Sequence, residues 1–141
     1  MPSAFENLCG PGKPLQAEPP NAKEFEGLCT VGLDKLVAAR GSGLKLVSQF
    51  DLAYNAAHAL CLAALRWHGY RSSNRYIVFQ LLPHTLQLGP EVWRILAKCH
   101  EVRNHGEYEG MLEVTERLVI DLLGACDKVA AKVRALTPPA P

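Results

Sequence analysis

The chain has 141 residues, 48% of them hydrophobic, which suits one domain with a substantial core. Fifteen Lys and Arg against fourteen Asp and Glu leave a formal charge of +1, which excludes a globally basic nucleic-acid binder, so any RNA or phosphate contact must come from a local cluster. Five cysteines without a CxxC pair fit reduced thiols in a cytosol rather than disulfides or structural zinc, and neither a metal nor a cofactor is expected.

In chain order, residues 1–21 hold five of the ten prolines and read as a disordered Pro/Gly-rich tail. They show no basic start followed by an apolar run, so no secretory signal is expected and a cytoplasmic location follows. Gly10, Gly12 and Lys13 have no preceding strand and no following Ser or Thr, which sets aside a phosphate loop. Asn21 with Glu24 forms a capping-box pattern, and Phe25, Leu28, Gly32, Leu36 and Ala39 then repeat at helical spacing until the glycines at 41 and 43. Ser48 with Asp51 predicts the next start, for a helix from about Gln49 to His68 that is apolar nearly all round and therefore central. Its polar stripe holds Asp51, Asn55 and His58. The charges in that apolar run argue against a bilayer span.

A loop and helix start at 69–76 interleaves Arg71 and Arg75 with Tyr70 and Tyr76, a composition that can hold RNA through phosphate contacts and stacking. A shorter helix runs from about Ser73 to a bend or stop at Pro83. Gly89-Pro90-Glu91 opens the fourth helix, and the fifth spans about Glu113 to Leu136. With no strand-like alternation of any length, the expectation is an all-α, up-and-down bundle of four long helices plus a shorter one over residues 22–136, followed by a disordered tail at 137–141.

One residue breaks the pattern of the fourth helix. At 100° per residue, Ile95, Leu96, Cys99, Val102 and Gly106 share a face, and Arg103 falls in its middle with His100 and Glu107 beside it. A charge on a buried face costs several kcal/mol unless it is paired. Asp51, Asn55, His58 and Glu107 are the candidate supporting network; the alternative task is an anion clamp, for which the guanidinium fork is suited, with His100 moving protons. His105 and Tyr108 lie toward the opposite, solvent side of that helix.

The stretches AYNAAHALCLAALRWHGYR at 53–71 and RNHGEYEG at 103–110, set in an all-α bundle, resemble the HEPN domain (higher eukaryotes and prokaryotes nucleotide-binding) over residues 23–136. These are small helical bundles common in prokaryotic toxin and defence systems. Many members are metal-independent ribonucleases built on an arginine, a polar residue after it and a histidine farther along, paired across a homodimer. The resemblance assigns the arginine to Arg103 and the polar residue to Asn104; where the histidine would fall, the chain has Tyr108, Glu109 and Gly110. It implies a homodimer of toxin-antitoxin or defence type that engages RNA, cleaving through a degenerate motif if it cleaves. Base and acid duties then fall to His100, His105 or Tyr108. The alternative is a non-catalytic helical interaction module whose polar residues lock the helices and whose surface binds a protein such as a nucleotidyltransferase-type antitoxin. Neither reading requires DNA or a membrane.

Overall fold

The computed structural model describes residues 3–109 and 113–140, with the side chains of residues 107–109 outside the described set. Its elements are α1 (Ala4–Asn7), β1 (Gln16–Ala17), α2 (Ala22–Ala39), α3 (Leu46–Trp67), β2 (Tyr70–Arg71), α4 (Arg75–Gln80), α5 (Leu82–Thr85), α6 (Pro90–Glu109) and α7 (Glu116–Arg134). The protein is thus mainly α-helical, with four long helices and one two-stranded antiparallel sheet among the described residues.

Local chemistry sets most of the boundaries. The Asn21 side chain accepts from the Glu24 amide at 2.8 Å, Asn74 from Ile77 at 3.2 Å and Thr115 from Leu118 at 3.1 Å, each satisfying an orphan donor of a first turn. Pro83, in the first turn of α5, supplies no amide to continue α4, so the shorter helix foreseen from Ser73 is two short pieces. The start expected at Ser48 is corrected: α3 begins a turn earlier, with Lys45 at its cap and no side-chain capping bond. There the Gln49 amide reaches the Lys45 carbonyl at 3.0 Å, and ordinary helix bonding leaves Ser48 nothing to cap.

α3 is central, as its composition requires. Phe50, Ala53, Tyr54, Ala56, Ala57, Leu60, Ala63, Ala64 and Leu65 are all buried, and the helix packs chiefly against α2 and α7, with α4, α5 and α6 on its remaining side. Burying a leucine such as Leu60 or Leu65 contributes about 1.5–3 kcal/mol. The approach of α2 is close because Gly32 lacks a side chain: a Cβ there would lie 2.7 Å from Leu60 Cγ. Among the described residues no helix is long and apolar enough to cross a membrane.

The N-terminal segment is not the disordered tail that its prolines suggest. Ser3 and Glu6 form a reciprocal capping box on α1, Leu15 is fully buried, and β1 pairs with β2 in the register Gln16↔Arg71 and Ala17↔Tyr70. Phe5 stacks on Tyr70 at 5.0 Å and tilts against His68 at the same distance. The strap is held by Arg66, whose side chain is 2% exposed. Its Nε donates to Glu24 at 2.6 Å, and its Nη atoms donate to the carbonyls of Glu18 and Pro19 at 2.9 and 2.8 Å. Arg71 pairs with both Glu18 and Glu24. The Glu24 carboxylate therefore does not turn back to complete a box with Asn21; two guanidiniums draw it toward α3 and β2. Residues 137–140 are irregular, and the Trp67 indole donates to the Thr137 carbonyl at 2.6 Å.

Candidate functional site

Three elements bring their polar residues to one place. α3 contributes Tyr54, Asn55 and His58; α4 contributes Arg75, Tyr76 and Phe79; α6 contributes His100, Arg103 and Asn104. Tyr54 is the hub. Its ring is fully buried, and its hydroxyl lies 2.8 Å from His100 Nδ1. The guanidiniums of Arg103 and Arg75 sit 5.1 and 5.5 Å from its ring centre, cation–π contacts worth about 0.5–2 kcal/mol each. Arg75 also donates to Asn55 Oδ1 at 3.1 Å, and among the described residues it meets no carboxylate.

His100 is fastened at both nitrogens. The Asn104 amide nitrogen lies 3.1 Å from Nε2. With that amide donating, Nε2 is the acceptor and the neutral ring carries its proton on Nδ1, donating to the Tyr54 oxygen. Partial burial, then the charges of Arg75 and Arg103, hold the His100 pKa below the ordinary histidine range, while Glu101 opposes them. His58, edge-on to Phe79 at 6.2 Å, is pushed down to about 4 by burial and by Arg75, Arg103 and His100. Burial raises the Tyr54 pKa, against the pull of the two arginines, and so keeps the phenol protonated near neutrality. Both imidazoles are neutral at pH 7, so the cations of the cluster are the two arginines.

Arg103 also edges a groove of about 500 Å³ lined by Val47, Ser48, Phe50, Asp51, Leu52 and Gly106. Expected in the middle of the apolar face of α6, Arg103 is half-buried at the groove's rim, its charge over the Tyr54 face, and Arg66 is the enclosed cation. Asp51 is exposed on the same groove, while Asn55 bonds the Asp51 carbonyl at 2.9 Å and reaches Arg75. His105 is exposed. The side chains of Glu107 and Tyr108 lie outside the described residues.

The set Tyr70, Arg71, Arg75 and Tyr76 divides. Tyr70 and Arg71 belong to the strap, stacked on Phe5 and paired with Glu18 and Glu24. Arg75 and Tyr76 turn the other way, Tyr76 lying 6.0 Å from the His100 ring. Sequence reasoning passed over Tyr54, although a signal was present: a tyrosine on an otherwise aliphatic buried helix must find a partner for its hydroxyl. Among the described residues no group of three or more His, Cys, Asp and Glu side chains is placed to hold a metal ion.

No family model, curated protein or solved structure matches this chain. Two guanidiniums beside a neutral, oriented imidazole can hold an oxyanion and accept a proton next to it.

Proposed function

We propose that the chain is a HEPN-like protein of toxin-antitoxin or defence type that engages RNA at the Tyr54–His100 cluster and cleaves it without a metal. The observation that carries this reading is the convergence of Arg75 and Arg103 on Tyr54, with His100 hydrogen-bonded to the same tyrosine. In the reaction a ribose 2′-oxygen attacks the adjacent phosphorus, the bond to the 5′-oxygen breaks, and a 2′,3′-cyclic phosphate remains. Arg103 holds the nonbridging oxygens and stabilises their developing charge. His100 takes the 2′-proton at Nε2 after the hydroxyl displaces the Asn104 amide, and the leaving 5′-oxygen takes its proton from water or from the imidazolium so formed. Tyr54, through Nδ1, keeps the imidazole in the tautomer that leaves Nε2 free to accept. His100 thus fills the histidine role from the N-terminal side of Arg103, and the reading needs no histidine at residue 108. A homodimer would set two such clusters side by side.

The second reading, an interaction module for a protein partner, is favoured by the apolar residues at the start of α3. Leu44, Leu46 and Val47 are 38, 37 and 49% exposed, and Val47 lines the groove beside Arg103. One experiment separates the two. Purified protein is incubated with end-labelled RNA in EDTA, beside an Arg103→Ala variant shown by circular dichroism to be folded. Cleavage by the parent to cyclic-phosphate ends, lost in the variant, supports the ribonuclease; absence of both cleavage and RNA binding in the folded parent leaves the interaction module.

A further inference from the structure

Arg75 differs from the other well-placed arginines of the protein. Arg66 and Arg71 pair with Glu18 and Glu24, Arg40 with Asp127 at 2.7 Å, and Arg117 with Asp121 at 3.2 Å. Arg75 is half-buried, yet among the described residues what it touches is the Asn55 amide oxygen and the Tyr54 side chain, both neutral. A cation withdrawn from water without a counter-ion is costly, and an anion arriving beside it relieves that cost. The ring it covers is also the one that Arg103 covers and that His100 bonds, so an anion between the guanidiniums lies next to the imidazole.

We propose that Arg75 is the second cationic contact of the RNA phosphodiester, held between Arg75 and Arg103, and that its binding is linked to proton uptake by His100. This rests on the RNA reading of the same site and adds to it the anion's second anchor and a pH control. Among the described residues, the titratable groups facing His100 are Tyr54 and His58 from α3, Arg75 and Tyr76 from α4, and Arg103 and Glu101 from its own helix. Of these only Glu101 is an anion, and it is exposed. In the empty site the two arginines oppose a positive charge on His100; a phosphodiester between them offsets both. The His100 midpoint then rises toward neutrality, where an imidazole serves best as a base. Substrate thereby brings the base to strength, and an empty site keeps it weak. The linkage has one sign: binding tightens as the pH falls through the midpoint of the bound form and levels off below that of the free form.

The test uses the full chain and two probes that cannot be cleaved, inorganic sulfate, which stays a dianion across the range, and a short RNA oligonucleotide with 2′-O-methyl groups. Histidine midpoints are read by NMR with and without each probe, and proton uptake by calorimetry in two buffers of different ionisation enthalpy. The expected result is an upward move of the His100 midpoint with both probes and uptake of a fraction of a proton at neutral pH. Arg75→Gln should raise the His100 midpoint of the free protein, weaken oligonucleotide binding about tenfold or more, and lower the salt slope by about 0.7. Arg75→Lys, which keeps the charge without the fork, should retain the proton linkage with weaker binding. A stationary His100 midpoint, or an Arg75→Gln variant that binds like the parent, overturns the inference. Because neither probe is cleavable, loss of ribonuclease activity alone does not touch it. Conversely, RNA cleavage unaffected by Arg75→Gln would sink this inference while leaving the RNA reading in place.

Discussion

Replacing Arg66 by alanine removes the only cation that the core encloses among the described residues, and with it the fastening of the N-terminal strap. Its guanidinium, 2% exposed, serves the Glu24 carboxylate at 2.6 Å and the carbonyls of Glu18 and Pro19 at 2.9 and 2.8 Å. Removing one partner of a buried ion pair costs about 3–5 kcal/mol. The low end applies here, because the Glu18 and Glu24 side chains are 47 and 31% exposed and both keep Arg71, so neither is left stranded. A loss of about 3 kcal/mol, at about 3–4 °C per kcal/mol for a chain of this size, lowers Tm by about 10 °C. Differential scanning calorimetry and urea unfolding measure the loss, and limited proteolysis should find the strap cut first between residues 8 and 20. Arg66→Lys, with a charge but no fork, should fall between parent and alanine variant. A loss under about 1 kcal/mol, with the strap still protected, would show that water satisfies those carbonyls and that Arg66 contributes packing alone.

Three more outcomes follow from the structure. Gly32→Ala places a methyl 2.7 Å from Leu60 Cγ and 3.3 Å from the Ala56 carbonyl, so urea unfolding should show a net loss of about 1–2 kcal/mol despite the better helix propensity of alanine. Stability should fall in two stages on acidification. His58, held at about 4 in the folded chain against 6.5 otherwise, costs stability as the pH falls between those values, and Glu18 and Glu24, held below 4.5 by their arginines, withdraw theirs as the pH falls further through their lowered midpoints; His58→Gln should flatten the first stage and Glu24→Gln the second in a pH series of urea midpoints. Finally, a disulfide reagent at pH 8 should modify Cys9 and Cys29 in the native protein, while Cys61, Cys99 and Cys126 react only in denaturant, since all three are buried and burial pushes the thiols of Cys99 and Cys126 up to about 12.

What the sequence made legible is what local rules determine. The Asn21 cap, the breaks at the glycines after Arg40, the proline start of α6 and the central place of α3 depend on residues within a few turns of one another, and each is where the pattern puts it. The strap was hidden because its reasons are distant: Leu15 joins a core cluster built mainly from the long helices, and Glu18 finds its partners in Arg66 and Arg71. Prolines in such a segment read as disorder until those partners are known. The candidate site was half legible. Arg103 and His100 stood out because a helical wheel shows polar residues on an apolar stripe. The wheel could not show that α4 delivers Arg75 and Tyr76 to the same spot while Tyr70 and Arg71 face the strap, a division made by the turn at Ser72–Asn74. It also could not show that both arginines would meet the ring of one buried tyrosine.

The proposed RNA site is the place where Tyr54, Arg75, His100, Arg103 and Asn104 meet. Amide chemical-shift mapping with the 2′-O-methyl RNA oligonucleotide addresses it directly. The expected perturbations concentrate at the start of α4 and along α6 from His100 to Asn104, with Glu18 of the strap and its ion-pair neighbours Glu24 and Arg71 unmoved. Perturbations confined to the strap and the β2 arginine, or none at saturating oligonucleotide, would contradict it.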